Sequence, residues 1–324
     1  MIDQTGKAVG NESNTGLHRL ALFLAFLTVG LLVAGALVTS NEAGDSVPDW
    51  PLSFGRWLIN SDNFVANVRY EYSHRFIAGV VGATSLLLAG WTFFGDRRRW
   101  MRRLALVAFA GVVAQAAIGG IRVRFPEYKA LIAIPHALVA QSFFAVVVGI
   151  AVFTSRSWWL PRNAKSDSAS LPLHKLVSVA VAAVLIQLVL GAGFRHEAFG
   201  ITPHIVGAVV VTMLIASTVV TVWRRHQQDD YLTRPARLAA SLLVVQLGLG
   251  VAAYFARLAS KADPQPLEPM ISITVAHLVV GALTLATMVV LALRCYQVLI
   301  PEQEKSVDAV SARGLSSSAS GAAG

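Results

Sequence analysis

The chain is 324 residues long, 55% hydrophobic and only 14% charged, with a mean hydropathy of +0.60. Such a composition belongs to polytopic membrane proteins and excludes an ordinary soluble domain. The net charge of +9 has no basic stripe interleaved with aromatics, so it is read as span-flanking charge and not as a nucleic-acid surface.

The first residues, Met1 to His18, are polar and carry no cleavable-signal pattern, so the first apolar segment is expected to be a retained span. A span needs about 20 mainly apolar residues. The segments that qualify are Leu20–Thr39, Phe76–Gly95, Leu104–Ile121, Leu131–Thr154, Leu176–Phe194, His204–Trp223, Leu238–Phe255 and Ile271–Leu293. The tail from Pro301, rich in Ser, Ala and Gly, is expected to be disordered. The sole cysteine, Cys295, excludes an intrachain disulfide and any cysteine-rich zinc or iron–sulfur site.

The connections alternate in charge. Asp96–Arg103, Ser155–Lys175 and Arg224–Arg237 are the more basic set. The positive-inside rule therefore predicts that they, and both termini, are cytoplasmic.

A repeat is visible at two scales. Gln115-x-x-x-Gly119, Gln187-x-x-x-Gly191 and Gln246-x-x-x-Gly250 each lie late in an odd-numbered span and precede a span bearing His136, His204 or His277. The first pair of spans has His74 and, at a similar late position, Gly35, but no glutamine. The larger period is four spans. The predicted fold is an all-α polytopic membrane protein of eight transmembrane helices in two pseudo-symmetric four-helix bundles, related by duplication. The expected divisions are a cytoplasmic 1–19, an N-terminal half 20–155, a linker 156–175, a C-terminal half 176–295 and a disordered tail 296–324.

The four histidines stand at or near the start of even-numbered spans, and each is followed four residues later by a small one: Ala78, Ala140, Ala208 and Gly281. Two imidazoles per four-helix half suit a particular ligand. Zinc would want three or four protein ligands, and non-haem iron a carboxylate beside two histidines. Haem iron takes two axial imidazoles from facing helices. The expected pairs are His74 with His136 and His204 with His277, with no structural metal outside haem. Arg122, Arg124 and Arg195 lie close to the proposed pockets and suit propionates through their planar forks. His18, His174, His196 and His226 fall outside the repeat and are expected to be solvated. Glu71 has no counterpart in the repeat, because Ala133, Ile201 and Thr274 stand three residues before the other histidines. The two haem sites should therefore differ, and a carboxylate at the first could move protons or stabilise charge during oxidation.

Val68-Arg69-Tyr70-Glu71-Tyr72-Ser73-His74-Arg75, preceded by Pro48-Asp49-Trp50-Pro51-Leu52, resembles the signature of the heme A synthase (cytochrome oxidase assembly) family. The resemblance covers nearly all of the chain. It implies an oxidoreductase of the cell inner (plasma) membrane that converts haem O to haem A by oxidising a porphyrin methyl group, through an alcohol, to a formyl group. It further implies that His204 and His277 bind a resident haem b, while His74 and His136 face substrate haem O with Glu71 important for the oxidation. Implied partners are the haem O synthase (a farnesyltransferase), an electron donor and membrane lipid. Many members carry a cysteine pair around Pro-Asp-Trp-Pro, and here Val47 and Ser53 stand at the matching places. Two other readings compete: a bis-histidine di-haem membrane electron carrier, and a non-catalytic haem chaperone.

Overall fold

The computed structural model describes residues 14–162, 165–167, 171–261 and 268–301. Its long helices are α1 (Thr15–Ser40), α2 (Val68–Gly95), α3 (Arg99–Arg124), α4 (Lys129–Thr154), α5 (Leu173–Arg195), α6 (Thr202–Arg225), α7 (Asp230–Ala259) and α8 (Glu268–Val298). All eight are long and apolar enough to cross a membrane, and the protein is a multi-pass membrane protein. In a bilayer only structures that satisfy their own backbone can span, and helices do so within one segment. Side-chain hydroxyls that would otherwise be left in the apolar layer bond back one turn, as Thr28 does to the Leu24 carbonyl and Thr92 to that of Leu88.

The helices extend past the predicted segments because polar residues cap them outside the apolar run. Asn14 accepts from the Leu17 amide at 3.0 Å to start α1, and Asp229 accepts from Tyr231 at 3.0 Å to start α7. At the far end α8 runs to Val298, and β2 (Leu299–Pro301) pairs in parallel with β1 (Lys165–Asp167) from the linker. Ordered structure thus continues beyond residue 295, and the linker also contains a one-turn helix, Arg156–Trp159. Residues 302–324, where the tail is expected to be disordered, lie outside the described residues.

Each group of four helices closes in the same cyclic order. In the first, α1 packs on α2 and α4, and α3 on α2 and α4; in the second, α5 packs on α6 and α8, and α7 on α6 and α8. This pattern is consistent with the predicted duplication. The halves meet where α1 and α4 contact α8 and α4 contacts α5, around Phe144, Ala282 and Ala286.

The tightly packed residues gather at one end of each half. In the first they are Leu17, Leu24, Val81, Leu88, Met101 and Ile150. The second uses Leu173, Val177, Ile215, Leu232, Met288 and Leu291. These positions lie early in odd spans and late in even ones, so the four repeat histidines sit at the opposite end.

Candidate functional site

The four histidines are built in one way. Each enters from an even span, and its ring lies against a glycine on the preceding odd span. A Cβ placed on Gly35 would come within 3.1 Å of the His74 ring, on Gly119 within 3.8 Å of His136, on Gly191 within 2.9 Å of His204, and on Gly250 within 3.1 Å of His277. At Gly191 a side chain would force the imidazole to shift, at Gly35 and Gly250 the contact would be tight, and at Gly119 it would be ordinary. The glutamine four residues before three of these glycines reaches the same histidine. Gln115 Nε2 donates to the His136 carbonyl at 2.7 Å. Gln187 Nε2 lies 2.9 Å from the His204 carbonyl and 3.0 Å from its Nδ1, and Gln246 Nε2 lies 3.4 Å from His277 Nε2. At the first site Leu31 stands in place of the glutamine.

This geometry explains the Gln-x-x-x-Gly repeat, which sequence reasoning used only as a marker of duplication. Gly281, one turn below His277, leaves room for the glutamine of that site: a Cβ there would meet Gln246 Nε2 at 3.2 Å. The glycines differ in consequence. Gly191→Ala should push the His204 ring aside, whereas Gly119→Ala makes only ordinary contact and gains about 1 kcal/mol of helix propensity. Absorption spectra of haem-loaded variants should show the first disturbed and the second unchanged. The reverse order would refute this packing.

The rings of His204 and His277 are 6.4 Å apart between centroids, inclined at 80°. A metal held about 2 Å from each of two imidazole nitrogens puts the ring centres roughly 6 Å apart. The pair therefore fits an iron bound between them. Both rings are half-buried, as are those of His74 and His136, and His74 and His136 lie within electrostatic reach of each other. Among the described residues no cluster of three or more His, Cys, Asp and Glu could hold a metal.

Around the first site the chain adds a polar clamp. Glu71 is 4% exposed, and both its oxygens are engaged. One accepts from Arg75 at 2.6 Å; the other accepts from the Val47 amide and the Ser46 hydroxyl, both at 2.9 Å. The Arg75 guanidinium also donates to the carbonyls of Asp49, Leu52 and Val47, at 2.6, 3.0 and 3.2 Å. Asp49 in turn accepts from the amides of Phe54 and Gly55, both at 2.7 Å, which fixes the turn where Gly55 has φ 73°. Burial opposes the Asp49 charge, but the bonds from Gly55 and Phe54 outweigh it and hold the carboxyl below its ordinary value. The Trp50 ring packs on Gly120, beside the glycine facing His136. The loop between α1 and α2 thus covers the mouth of the first pair. Val47 and Ser53 are both buried within it, and Ser53 forms a backbone bridge to Arg56.

The three arginines differ. Arg122 donates to the Gly44 carbonyl at 2.7 Å and lies 3.7 Å from Asp45, so it too holds the loop. Arg124 is exposed at the end of α3. Arg195, the last residue of α5, donates to the Ser40 hydroxyl at 2.7 Å, and Ser40 meets Thr274 at 3.1 Å. It therefore links α5 to α1 and α8. Its Nε is buried without a hydrogen-bond partner, which is the kind of donor that an anionic group would satisfy.

The other histidines depart from expectation. His174 and His226 are each only 8% exposed, because Tyr296 packs at 4.8 Å on the first and the linker and the start of α7 close over the second. His18 is half-buried, with Nδ1 2.9 Å from the Ala151 carbonyl. His196 is also half-buried; burial, with the charges of Arg195, Arg122 and Arg257, pushes its imidazole down to about 4, so it is neutral at neutral pH.

Comparison with known proteins follows the same lines. The family model described as cytochrome oxidase assembly protein matches residues 18–203. That range includes His74 and His136 and stops one residue before His204. The chain is similar to the heme A synthase of Exiguobacterium sp. (strain ATCC BAA-1283 / AT1b), 30% identical over 135 residues, which is 40% of this chain and 44% of the relative. It is 33% identical over 137 residues to that of Alkalihalophilus pseudofirmus, 40% of this chain and 45% of the relative. A longer match, 27% identical over 184 residues, is with the enzyme of Exiguobacterium sibiricum, covering 55% and 60%. The chain spans about half the length of the curated relatives it matches. With more than half its own length matched by the family model, and with the histidine and Glu-x-x-His-Arg geometry in the matched region, the chain belongs to the cytochrome oxidase assembly protein family.

Proposed function

We propose that this protein is a membrane heme A synthase, oxidising a porphyrin methyl group of haem O, through an alcohol, to the formyl group of haem A for cytochrome c oxidase biogenesis. The observation that carries this reading is a pair of imidazole sites alike in construction but unequal in surroundings. Both have histidines set on helix glycines, and among the described residues only the first has a loop held beside it through Glu71 and Arg75. Unequal surroundings suit an enzyme that holds a cofactor at one site and a substrate at the other.

In this reading His204 and His277 bind a resident haem b, braced by Gln187 and Gln246. His74 and His136 face substrate haem O. Haem iron between imidazoles supplies redox chemistry when bound. The chain's own groups do the rest. The loop from Ala43 to Arg56 excludes water from the first site's mouth, and Glu71 and Arg75 fix that loop. Glu71 carries the negative charge nearest the substrate pair in sequence and is the candidate for stabilising charge or moving a proton during oxidation. Arg195, with its unpartnered Nε, is the best-supported propionate partner; Arg124 and Arg122 are the others, Arg122 while also holding Gly44. Methyl to formyl is a four-electron oxidation that adds one oxygen atom, so an external oxidant such as dioxygen is required, with an electron donor to reduce the dioxygen's second oxygen atom to water; the haem O synthase is the source of substrate.

The histidine end is proposed to face the outside of the cell inner membrane. The opposite end holds the basic loops with Arg97–Arg99, Arg102, Arg103, Arg224 and Arg225, together with the beginning of α1 and the end of α8, so both termini are cytoplasmic.

Expression in a strain that lacks heme A synthase tests the reading. Recovery of an oxidase containing haem A is expected. A well-expressed, haem-loaded protein that leaves the oxidase unassembled would refute it and favour the carrier or chaperone.

A further inference from the structure

At the end of the clamp on Ala43–Arg56 and before the start of α2 the chain presents large apolar side chains that remain exposed among the described residues. Trp57 is 75% exposed and Leu58 69%, and Phe54, Phe64 and Val65 are exposed as well. These residues lie outside the membrane-spanning helices, where solvent would oppose their exposure. They are not loose. Their base is fixed by the Glu71, Arg75 and Asp49 bonds, and their far end by Asn67, whose side chain donates to the Asn41 carbonyl at 3.2 Å.

The patch continues a surface that already faces lipid. Phe64 packs edge-on against Tyr72, with ring centroids 6.2 Å apart. Tyr72 begins the helical row Tyr72, Phe76, Val80, Leu87 and Phe94 on α2, whose last four members are exposed along the span. The 28 residues of α2 extend about 42 Å at 1.5 Å per residue, longer than the hydrocarbon layer of about 30 Å. Its first turns, which carry Arg69, Glu71, Ser73, His74 and Arg75 while the rest of the helix is mainly apolar, therefore lie at the headgroup level. Exposed Arg56 and Arg69 flank the patch, as cations do beside aromatic residues at a membrane interface.

We propose that residues 54–65 form a lipid-docking flap, with Phe54, Trp57, Leu58, Phe64 and Val65 inserted in the leaflet at the histidine end and the turn Ser61–Asn63 facing water. The flap is the outward edge of the loop that covers the first histidine pair. The site's cover is thus fastened on one side to Glu71 and Arg75 and on the other to the bilayer. This docking follows from exposure and helix register, and it stands whatever reaction the histidines serve.

The sole cysteine, buried Cys295, makes the test direct. Nitroxide labels are placed through Trp57→Cys, Leu58→Cys and Val65→Cys, with Asp62→Cys as the aqueous control, in a full-length Cys295→Ser chain in phosphatidylcholine vesicles. Collision rates are measured with oxygen, which concentrates in lipid, and with a water-soluble nickel chelate. At positions 57, 58 and 65 oxygen should be the more effective relaxant, and at 62 the nickel chelate. Nickel access at 57 and 65 equal to that at 62 would overturn the proposal. Exclusion of both reagents there would also overturn it, pointing to a protein partner. Should Cys295→Ser not fold, the same series in the native background serves, since Cys295 is buried. Brominated lipid provides a second measurement: it should quench more fluorescence in the wild type than in Trp57→Phe, and equal quenching would contradict insertion.

Discussion

His277→Ala and His204→Ala are each expected to remove the haem b proposed for the C-terminal half, with loss of the bis-imidazole absorption spectrum from purified protein. The 6.4 Å centroid separation leaves room for one iron between the two rings, and neither helix offers a third ligand among the described residues. The imidazole is not part of the packed core, which lies at the other end of α6 and α8, so the bundle should still fold. Groups that orient a metal ligand are commonly worth 10–100-fold in affinity; Gln187→Leu should therefore weaken haem retention by about that factor without abolishing it. A haem b spectrum unchanged in either alanine variant would show that the C-terminal pair is not the resident site.

Glu71 variants should separate the two halves. Glu71→Gln is expected to keep the haem of the C-terminal half and to lower haem A formation. The amide can still accept from Val47 or Ser46 but gives Arg75 a neutral partner. Hydrogen bonds to charged groups contribute about 1.5–3 kcal/mol, so the loss should be roughly 10- to 100-fold if it is felt in the transition state. Glu71→Ala goes further: removing one member of a buried ion pair costs about 3–5 kcal/mol, enough to release the loop from Arg75. Limited proteolysis should then nick residues 43–56 in Glu71→Ala and spare them in Glu71→Gln. Haem A output equal to wild type in both would take Glu71 out of the reaction.

Much of this arrangement was legible in the sequence because bilayers impose simple rules. Long apolar runs can only be helices, and the eight spans follow from that. Histidines at the entrance of every second span, within a four-span period, are what suggest two paired sites. What was not legible depends on contacts between distant residues. Glu71 stands out in the sequence as a carboxylate with no counterpart in the repeat, but its bonds to Ser46 and Val47 cross 25 and 24 residues. The glycine that receives each imidazole sits on the preceding helix, so following the histidine's own helix led to Ala78, Ala140 and Ala208 instead. His174 and His226 looked like loop residues because Tyr296 and the folded linker are far away in the chain.

The central claim is that this chain makes haem A. The most direct measurement expresses it in membranes of a host that makes haem O but no haem A and has a suitable electron donor, extracts the haems, and separates them by chromatography with mass detection. Haem A, or the hydroxylated intermediate on the way to it, is the expected product, and it should fall in Glu71→Gln. Only haem O and haem b, recovered from folded protein with a normal haem spectrum, would contradict the account.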